Sequence, residues 1–180
     1  MQDTTAKSTG ILIHQVLQQM SLFGIEWWQS QSSLAQDTYI QHHLKQLGVL
    51  DHTLIQSTQN VKNALQNTLS DPKGLWILKP HLDAQSELRL TAVIKHQPIQ
   101  LVIDRTFIDE KGVRWIIDYK SSIPTQNSLN EFLNAEQKKY ENQMQQYHIA
   151  MQALNDRPIF LGLYFPRVSA WKEWTYKHSQ

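Results

Sequence analysis

Two short segments in the middle of the chain predict a β-hairpin with charged residues at one end. Residues 101–107 (LVIDRTF) and 113–120 (VRWIIDYK) are rich in β-branched and aromatic residues, and the turn between them contains a glycine. Successive side chains of a strand point to opposite faces, so Asp118 and Lys120 share one face of the second strand. An antiparallel hairpin can bring both to the side of the sheet that carries Asp104. Two carboxylates and one ammonium group would then meet at the end of otherwise apolar strands.

Burying these charges is costly unless they are paired or hold a metal ion. A metal site is therefore one interpretation of the hairpin. The alternative is structural, because aspartates at strand ends often cap turns, and a lysine two residues after an aspartate often forms a surface ion pair of little energetic value. The hairpin by itself leaves both interpretations open.

Length and composition restrict the remaining possibilities. The 180 residues predict a single domain, which we place at 10–180, preceded by a flexible polar arm at 1–9. Lysine and arginine exceed aspartate and glutamate by only 17 − 16 = 1, so no overall basic bias indicates nucleic acid. The absence of cysteine excludes disulfides, thiolate zinc sites, cysteine nucleophiles and iron–sulfur clusters. Without an apolar stretch of about 18 residues or a secretory signal, we expect a cytoplasmic protein with no membrane partner.

The periodicity of apolar residues along the chain predicts both helices and strands. Helices are expected at 10–20, 34–47, 59–69 and 130–154, and strands outside the hairpin at 75–79, 86–94, 158–165 and 171–176. Helices thus precede an antiparallel set of strands, and a long crossover helix leads to an almost wholly apolar strand, as expected for an inner strand. The predicted fold class is α/β, with a central mixed β-sheet flanked by helices.

Four further side chains could belong to a site, and each has an ordinary structural explanation. His14 lies beside the apolar stripe of the first helix, where a lone histidine is usually a packed boundary residue. Glu87 is either another acid near the aspartates or one half of a surface pair with Arg89. Gln143 and Tyr147 are four residues apart, so they lie on neighbouring turns of the long helix, where simple packing would also explain them.

Five elements occur in an order and spacing typical of a known family: Gly10-x-x-x-His14, Glu87, Ile103-Asp104-Arg105, Asp118-Tyr119-Lys120 and Gln143-x-x-x-Tyr147. This set resembles the nuclease domain of RecB and AddA. These are exonuclease domains of the PD-(D/E)XK type, with a restriction-endonuclease-like fold, usually found at the C-terminal end of DNA helicase chains in bacterial recombination complexes. The likeness spans about 10–165. The family often has a glycine where this chain has Val102, a change that removes no ligand.

The resemblance implies a metal centre. Asp104 and Asp118 would hold Mg²⁺ or Mn²⁺ through oxygen, together with the main-chain carbonyl of Tyr119 and the imidazole of His14. A hard divalent cation prefers oxygen donors, and one nitrogen ligand makes Mn²⁺ an alternative. The cysteines that bind an iron–sulfur cluster in some relatives are missing, so the likeness is to the cluster-free branch.

The resemblance also assigns roles to the remaining residues. Lys120 would position the attacking water and balance charge on phosphorus. Glu87 would be a supporting catalytic acid, and Gln143, Tyr147 and Arg105 would bind or orient the substrate. The implied reaction is hydrolysis of phosphodiester bonds in DNA, and the implied partner is a helicase motor in the same parent chain or complex, because this chain has no P-loop.

Two other functions remain open at the level of sequence. The near-neutral charge favours an idle DNA-binding or scaffold module in a helicase complex, since basic residues normally supply affinity for phosphates. The other is a metal-dependent nuclease that acts on RNA.

Overall fold

The computed structural model describes residues 2–94, 96–125 and 128–176. Within these ranges the helices are α1 (Gln2–Phe23), α2 (Ile25–Gln29), α3 (Ser33–Gln46), α4 (Asp51–Ser70), α5 (Pro72–Leu78) and α6 (Leu129–Gln152). The strands are β1 (Leu82–Ile94), β2 (Gln97–Ile108), β3 (Arg114–Tyr119), β4 (Ile159–Phe165) and β5 (Ala170–Trp174). No helix in the described ranges has the length and apolarity that crossing a bilayer requires.

The chain divides into two compact units, a division that the prediction of one domain does not anticipate. The helical unit comprises Met1–Pro80, Lys120–Ser122 and Phe165–Ala170. The sheet unit comprises His81–Tyr119, Ile123–Tyr164 and Trp171–Gln180. The boundary between the two units therefore falls immediately before the lysine of the Asp-Tyr-Lys motif.

In the helical unit, α1 packs against α3, α4 and α5. The stripe predicted from sequence is its buried face: Ile13, Val16, Leu17 and Met20 are at most 1% exposed. However, α1 begins at Gln2 rather than Gly10, so the residues expected to form an arm before the domain belong to the first helix. Helix α4 likewise begins earlier than expected, at Asp51.

Helix α5 corrects the strand predicted at 75–79. The side chain of Asp71 accepts a hydrogen bond of 3.1 Å from the backbone N–H of Lys73, and Pro72 occupies the first helical turn. An N-cap aspartate followed by proline is a helix-start signal. The same residues also fit the end of the preceding helix, and the apolar run that follows is too short for periodicity to separate helix from strand.

The sheet unit confirms the predicted mixed sheet. Its strand order is β1-β2-β3-β4-β5, with β1–β2 and β2–β3 antiparallel and β3–β4 parallel. The parallel pair is connected through α6, as a crossover connection requires. A capping box between Ser128 and Glu131 starts α6. Strand β3 is buried along its whole length, and β4 is almost entirely buried.

Candidate active site

The register of the central hairpin aligns the two predicted metal-binding aspartates. The last pair between β2 and β3 at this end is Arg105 with Ile117, and continuing the register by one residue places Asp104 opposite Asp118. At that point Asp104 Oδ2 accepts a hydrogen bond of 2.8 Å from the backbone N–H of Tyr119. A side-chain oxygen thus replaces the next backbone acceptor and holds the Asp104 carboxylate at the end of β3.

Tyr147 of α6 lies against the same end of the hairpin. Its hydroxyl donates a hydrogen bond of 2.7 Å to the carbonyl of Val102 and accepts one of 2.7 Å from Gln143 Nε2. Asp118 Oδ1 is 3.5 Å from the same hydroxyl. Because a phenol has one hydrogen to donate, the short bond to Val102 takes it and the contact with Asp118 is weak. Gln143 and Tyr147 are therefore joined by a hydrogen bond, whereas their four-residue spacing in the sequence indicates only that they lie on neighbouring turns.

The carboxylates also affect the ionisation of Tyr147. Burial, then the negative charges of Asp118 and Asp104, raise the pKa of its hydroxyl above the ordinary value. The side chain therefore remains a neutral phenol at neutral pH. It can donate and accept hydrogen bonds, but it cannot serve as a base.

Glu87 lies in register with the aspartates. The pairs on either side of it in β1 place Glu87 opposite Asp104, so three acidic residues follow one line across β1, β2 and β3. Glu87 has a φ of 53°, a left-handed conformation that is uncommon for any residue other than glycine. Such strain persists where the surrounding structure enforces it, and it often occurs at functional sites. This alignment favours the interpretation of Glu87 as a third acid.

Lys120 and His14, the other two predicted residues, lie in the helical unit. A Cβ added to Gly10 would be 2.9 Å from Ser121 Oγ and 3.3 Å from Ser121 Cβ, so α1 approaches the residue after Lys120 closely at this glycine. His14 is four residues further along α1 and thus on the same face, about one turn away. The Gly10-x-x-x-His14 spacing therefore places His14 on the face of α1 that approaches Ser121, the residue after Lys120.

Arg105 differs from the other predicted substrate-binding residues. It is 2% exposed and alternates with Asp104 along β2, so its side chain lies on the opposite face. Its Nη1 donates to Ser86 Oγ at 3.2 Å, and its guanidinium lies 5.6 Å from the ring centroid of Phe107. Burial lowers its pKa, although the nearby Tyr119 hydroxyl opposes this effect. Arg105 therefore packs the sheet and is not placed with the carboxylates.

The donor atoms suit a hard divalent cation. Asp118 is 3% exposed, so its carboxylate is largely removed from water, and the aligned Asp104 supplies a second set of oxygens. Across 2–94, 96–125 and 128–176, no group of three or more histidine, cysteine, aspartate or glutamate side chains could hold a metal ion. Mg²⁺ is commonly held by one or two carboxylates with waters and substrate phosphate, so a carboxylate pair fits it. The imidazole of His14 and the carbonyl of Tyr119 stay predicted ligands.

The sequence model of the PD-(D/E)XK nuclease superfamily matches residues 1–176. The chain belongs to the PD-(D/E)XK nuclease superfamily. Its mixed five-stranded sheet with flanking helices is consistent with that fold. Nucleases of this superfamily typically use Mg²⁺ or Mn²⁺, in agreement with the carboxylate pair. No curated protein matches the chain significantly.

Two contacts of predicted site residues, one in each unit, have no signal in the sequence. The first is the carbonyl of Val102, which anchors Tyr147, because a backbone acceptor has no residue signature. The second is the close contact between Gly10 and Ser121, more than 100 residues apart in the chain. The glycine was visible in the motif, but its partner was not.

Proposed function

We propose that this chain is a Mg²⁺- or Mn²⁺-dependent deoxyribonuclease domain. It hydrolyses phosphodiester bonds in DNA as the exonuclease part of a RecB/AddA-type helicase–nuclease that acts in double-strand-break repair in the bacterial cytoplasm. The observation that carries the proposal is the alignment of Glu87, Asp104 and Asp118 across three strands, followed directly in the chain by Tyr119 and Lys120.

The proposed roles follow from the chemistry of these groups. Asp104 and Asp118 would hold the cation, which would supply Lewis-acid polarisation of the scissile phosphate and a lower pKa for a bound water. Lys120 positions the attacking water and balances the charge that develops on phosphorus. Tyr147 is kept neutral and hydrogen-bonded to Gln143, so this pair can orient the substrate or Lys120 without competing for the proton of the water.

DNA as substrate and a helicase as partner rest on the resemblance of the five motif elements to RecB and AddA. The formal charge of +1 supports a partner, because a nuclease that acts alone gains affinity from basic residues that neutralise phosphates. A motor domain would supply that positive surface and deliver the strand.

The decisive experiment measures cleavage of end-labelled single- and double-stranded DNA with Mg²⁺, Mn²⁺ or EDTA. The test variant is Asp118→Asn, which keeps the shape of the side chain but removes its charge. Asp156→Asn is the matched control, because Asp156 is an exposed acid of the same unit in the loop after α6. We expect metal-dependent cleavage by the wild type and the control, and its loss in Asp118→Asn with an unchanged unfolding transition.

Other results would redirect the proposal in defined ways. Equal cleavage by Asp118→Asn and wild type would rule out the carboxylate site. Cleavage of RNA but not DNA would identify RNA as the substrate instead of DNA. Strongly salt-dependent DNA binding without turnover, in the presence of the helicase partner as well as alone, would favour the idle binding module.

A further inference from the structure

An open pocket of about 550 Å³ lies wholly within the helical unit. Its walls come from the N-terminal part of α1, the first half of α4, Gly48 and Leu50 just before α4, and the two residues Ser121 and Arg167. The lining is rich in hydroxyl groups, which belong to Thr4, Thr5, Thr9, Thr53, Ser57 and Ser121. The described lining residues include one arginine and one histidine but no carboxylate. The hydroxyls of Thr9 and Thr53 donate to the carbonyls of Thr5 and Leu50, and the other hydroxyls, with the arginine, suit an anion that accepts hydrogen bonds.

Arg167 is the permanent cation of the pocket. It is half-buried, and its Nη1 donates a hydrogen bond of 3.2 Å to the carbonyl of Ser121. Within the described ranges it forms no ion pair with a carboxylate, although a guanidinium has five N–H donors. A partly desolvated arginine that faces a cavity with most of its donors unused is suited to bind a phosphate, often in a bidentate manner.

Ser57 provides a second and independent indication of a ligand. It is 2% exposed and lines the pocket, yet its hydroxyl makes no hydrogen bond within the described part of the chain. The hydroxyls of Thr53 and Thr58, on the same helix, instead donate to the carbonyls of Leu50 and Leu54. The hydroxyl of Ser57 is therefore available to donate a hydrogen bond to an occupant of the pocket.

The position of the pocket along the chain connects it with the nuclease motif. Ser121, whose carbonyl receives the Arg167 bond, directly follows Lys120. Proteins position nucleic-acid strands mainly through phosphate contacts from arginine, serine, threonine and amide side chains. The pocket presents these groups at a segment that begins one residue after the motif lysine.

We propose that this pocket binds a phosphodiester group of the substrate strand, with Arg167 as its cation and Ser57 as a hydroxyl donor. The inference rests on the proposed nuclease function and adds to it a strand-binding subsite outside the carboxylate cluster. Arg167 and Ser57 are thus binding residues, and they leave the hydrolytic step to the carboxylates.

The test measures binding of a fluorescent single-stranded oligodeoxynucleotide of about 12 residues by anisotropy, in EDTA so that no cleavage occurs, over a range of salt concentrations. Arg167→Gln should weaken binding about tenfold and reduce the magnitude of the salt slope by about 0.7, the value for one phosphate contact on a single strand. Arg167→Lys should keep the slope. Ser57→Ala should weaken binding severalfold with no loss of fold stability, because the described residues offer its hydroxyl no hydrogen-bond partner.

The control for charge is Lys138→Gln, which removes a positive charge from an exposed position on α6. It should change neither affinity nor slope by a comparable amount. A salt slope that is equal in wild type and Arg167→Gln would overturn the proposal. The proposal would also be overturned if Arg167→Gln lost affinity for a deoxynucleoside monophosphate or inorganic phosphate but still bound the strand like the wild type. The pocket would then bind free phosphate and not the strand.

The two proposals can fail separately. Arg167-dependent strand binding by a wild-type protein that cleaves nothing would support the subsite and contradict the nuclease function. If the wild type cleaves DNA in a metal-dependent manner but substitutions of Arg167 and Ser57 leave strand affinity unchanged, only the subsite proposal is overturned.

Discussion

Replacing Gly10 by alanine tests whether the close approach of α1 to Ser121 positions Lys120, the lysine proposed to act in catalysis. The new methyl group would lie 2.9 Å from Ser121 Oγ and 3.3 Å from Ser121 Cβ, both closer than ordinary van der Waals contact. Within a helix, glycine to alanine normally stabilises a protein by about 1 kcal/mol. Helix propensity and packing at this position therefore change the free energy of unfolding in opposite directions. The sign of the measured change shows which effect is larger.

The expected magnitude follows from the two distances. The hydroxyl of Ser121 can rotate away, but its Cβ cannot, so the backbone beside Lys120 must move by a few tenths of an ångström. Overpacking costs about 1–3 kcal/mol, which leaves a net change between about zero and 2 kcal/mol of destabilisation after the helix gain. Activity should fall more than stability, by about tenfold or more, because small displacements of a catalytic group are costly.

The assay combines urea unfolding with the rate of DNA cleavage at saturating substrate. Gln15→Ala, at an exposed position of the same helix, is the control and should leave the rate unchanged. The double variant Gly10→Ala/Ser121→Gly removes both contacting atoms and should recover much of the rate. If Gly10→Ala is more stable by about 1 kcal/mol and cleaves DNA at the wild-type rate, the glycine has no positioning role.

Three further predictions follow from contacts in the sheet unit. Tyr147→Phe should lose about 1–3 kcal/mol in urea unfolding, because it leaves a strand carbonyl and an amide without their hydroxyl partner, and cleavage should slow in parallel. Gly162→Ala should lose about 3 kcal/mol or more, since its methyl group would overlap the ring of Trp171. For Asp109, burial opposes the shift, but hydrogen bonds from Trp115 and two backbone N–H groups hold its pKa below the ordinary value. Its stabilisation is therefore complete above about pH 4 and is lost as the pH falls through the lowered pKa, so Asp109→Asn should be less stable than wild type at pH 7, and the difference should shrink as the pH falls below about 4. A constant difference across that range would contradict the assignment.

The strongest sequence signals lay where local pattern and tertiary structure agree. The hairpin is present, with β2 and β3 antiparallel, because alternating apolar residues and a glycine-containing turn specify both the strands and their register. The long helix begins and ends within two residues of its predicted bounds, because its apolar spacing extends over six turns. The mixed sheet followed from these two elements and the apolar strand β4.

The errors occurred where local signals were short or ambiguous. Residues 2–9 are polar overall, yet they continue α1, where Ser8 and Thr9 are buried and Ser8 donates a hydrogen bond to the carbonyl of Leu47. The run after Asp71 is only a few residues long, so its β-type composition outweighed a helix-start signal in the prediction. At the first helix the deciding contact comes from elsewhere in the chain, whereas at α5 it is the local cap formed by Asp71.

The sequence by itself determined which acids share a face, because the period of two along a strand is local and Asp104 and Asp118 follow it. The tertiary structure decided which polar groups surround them. The bond from Tyr147 to a strand carbonyl, the alignment of Glu87 with Asp104, and the burial of Ser57 in the pocket wall depend on contacts between distant segments. Backbone acceptors and pockets leave no mark in residue identity, since they exist only once the chain has packed.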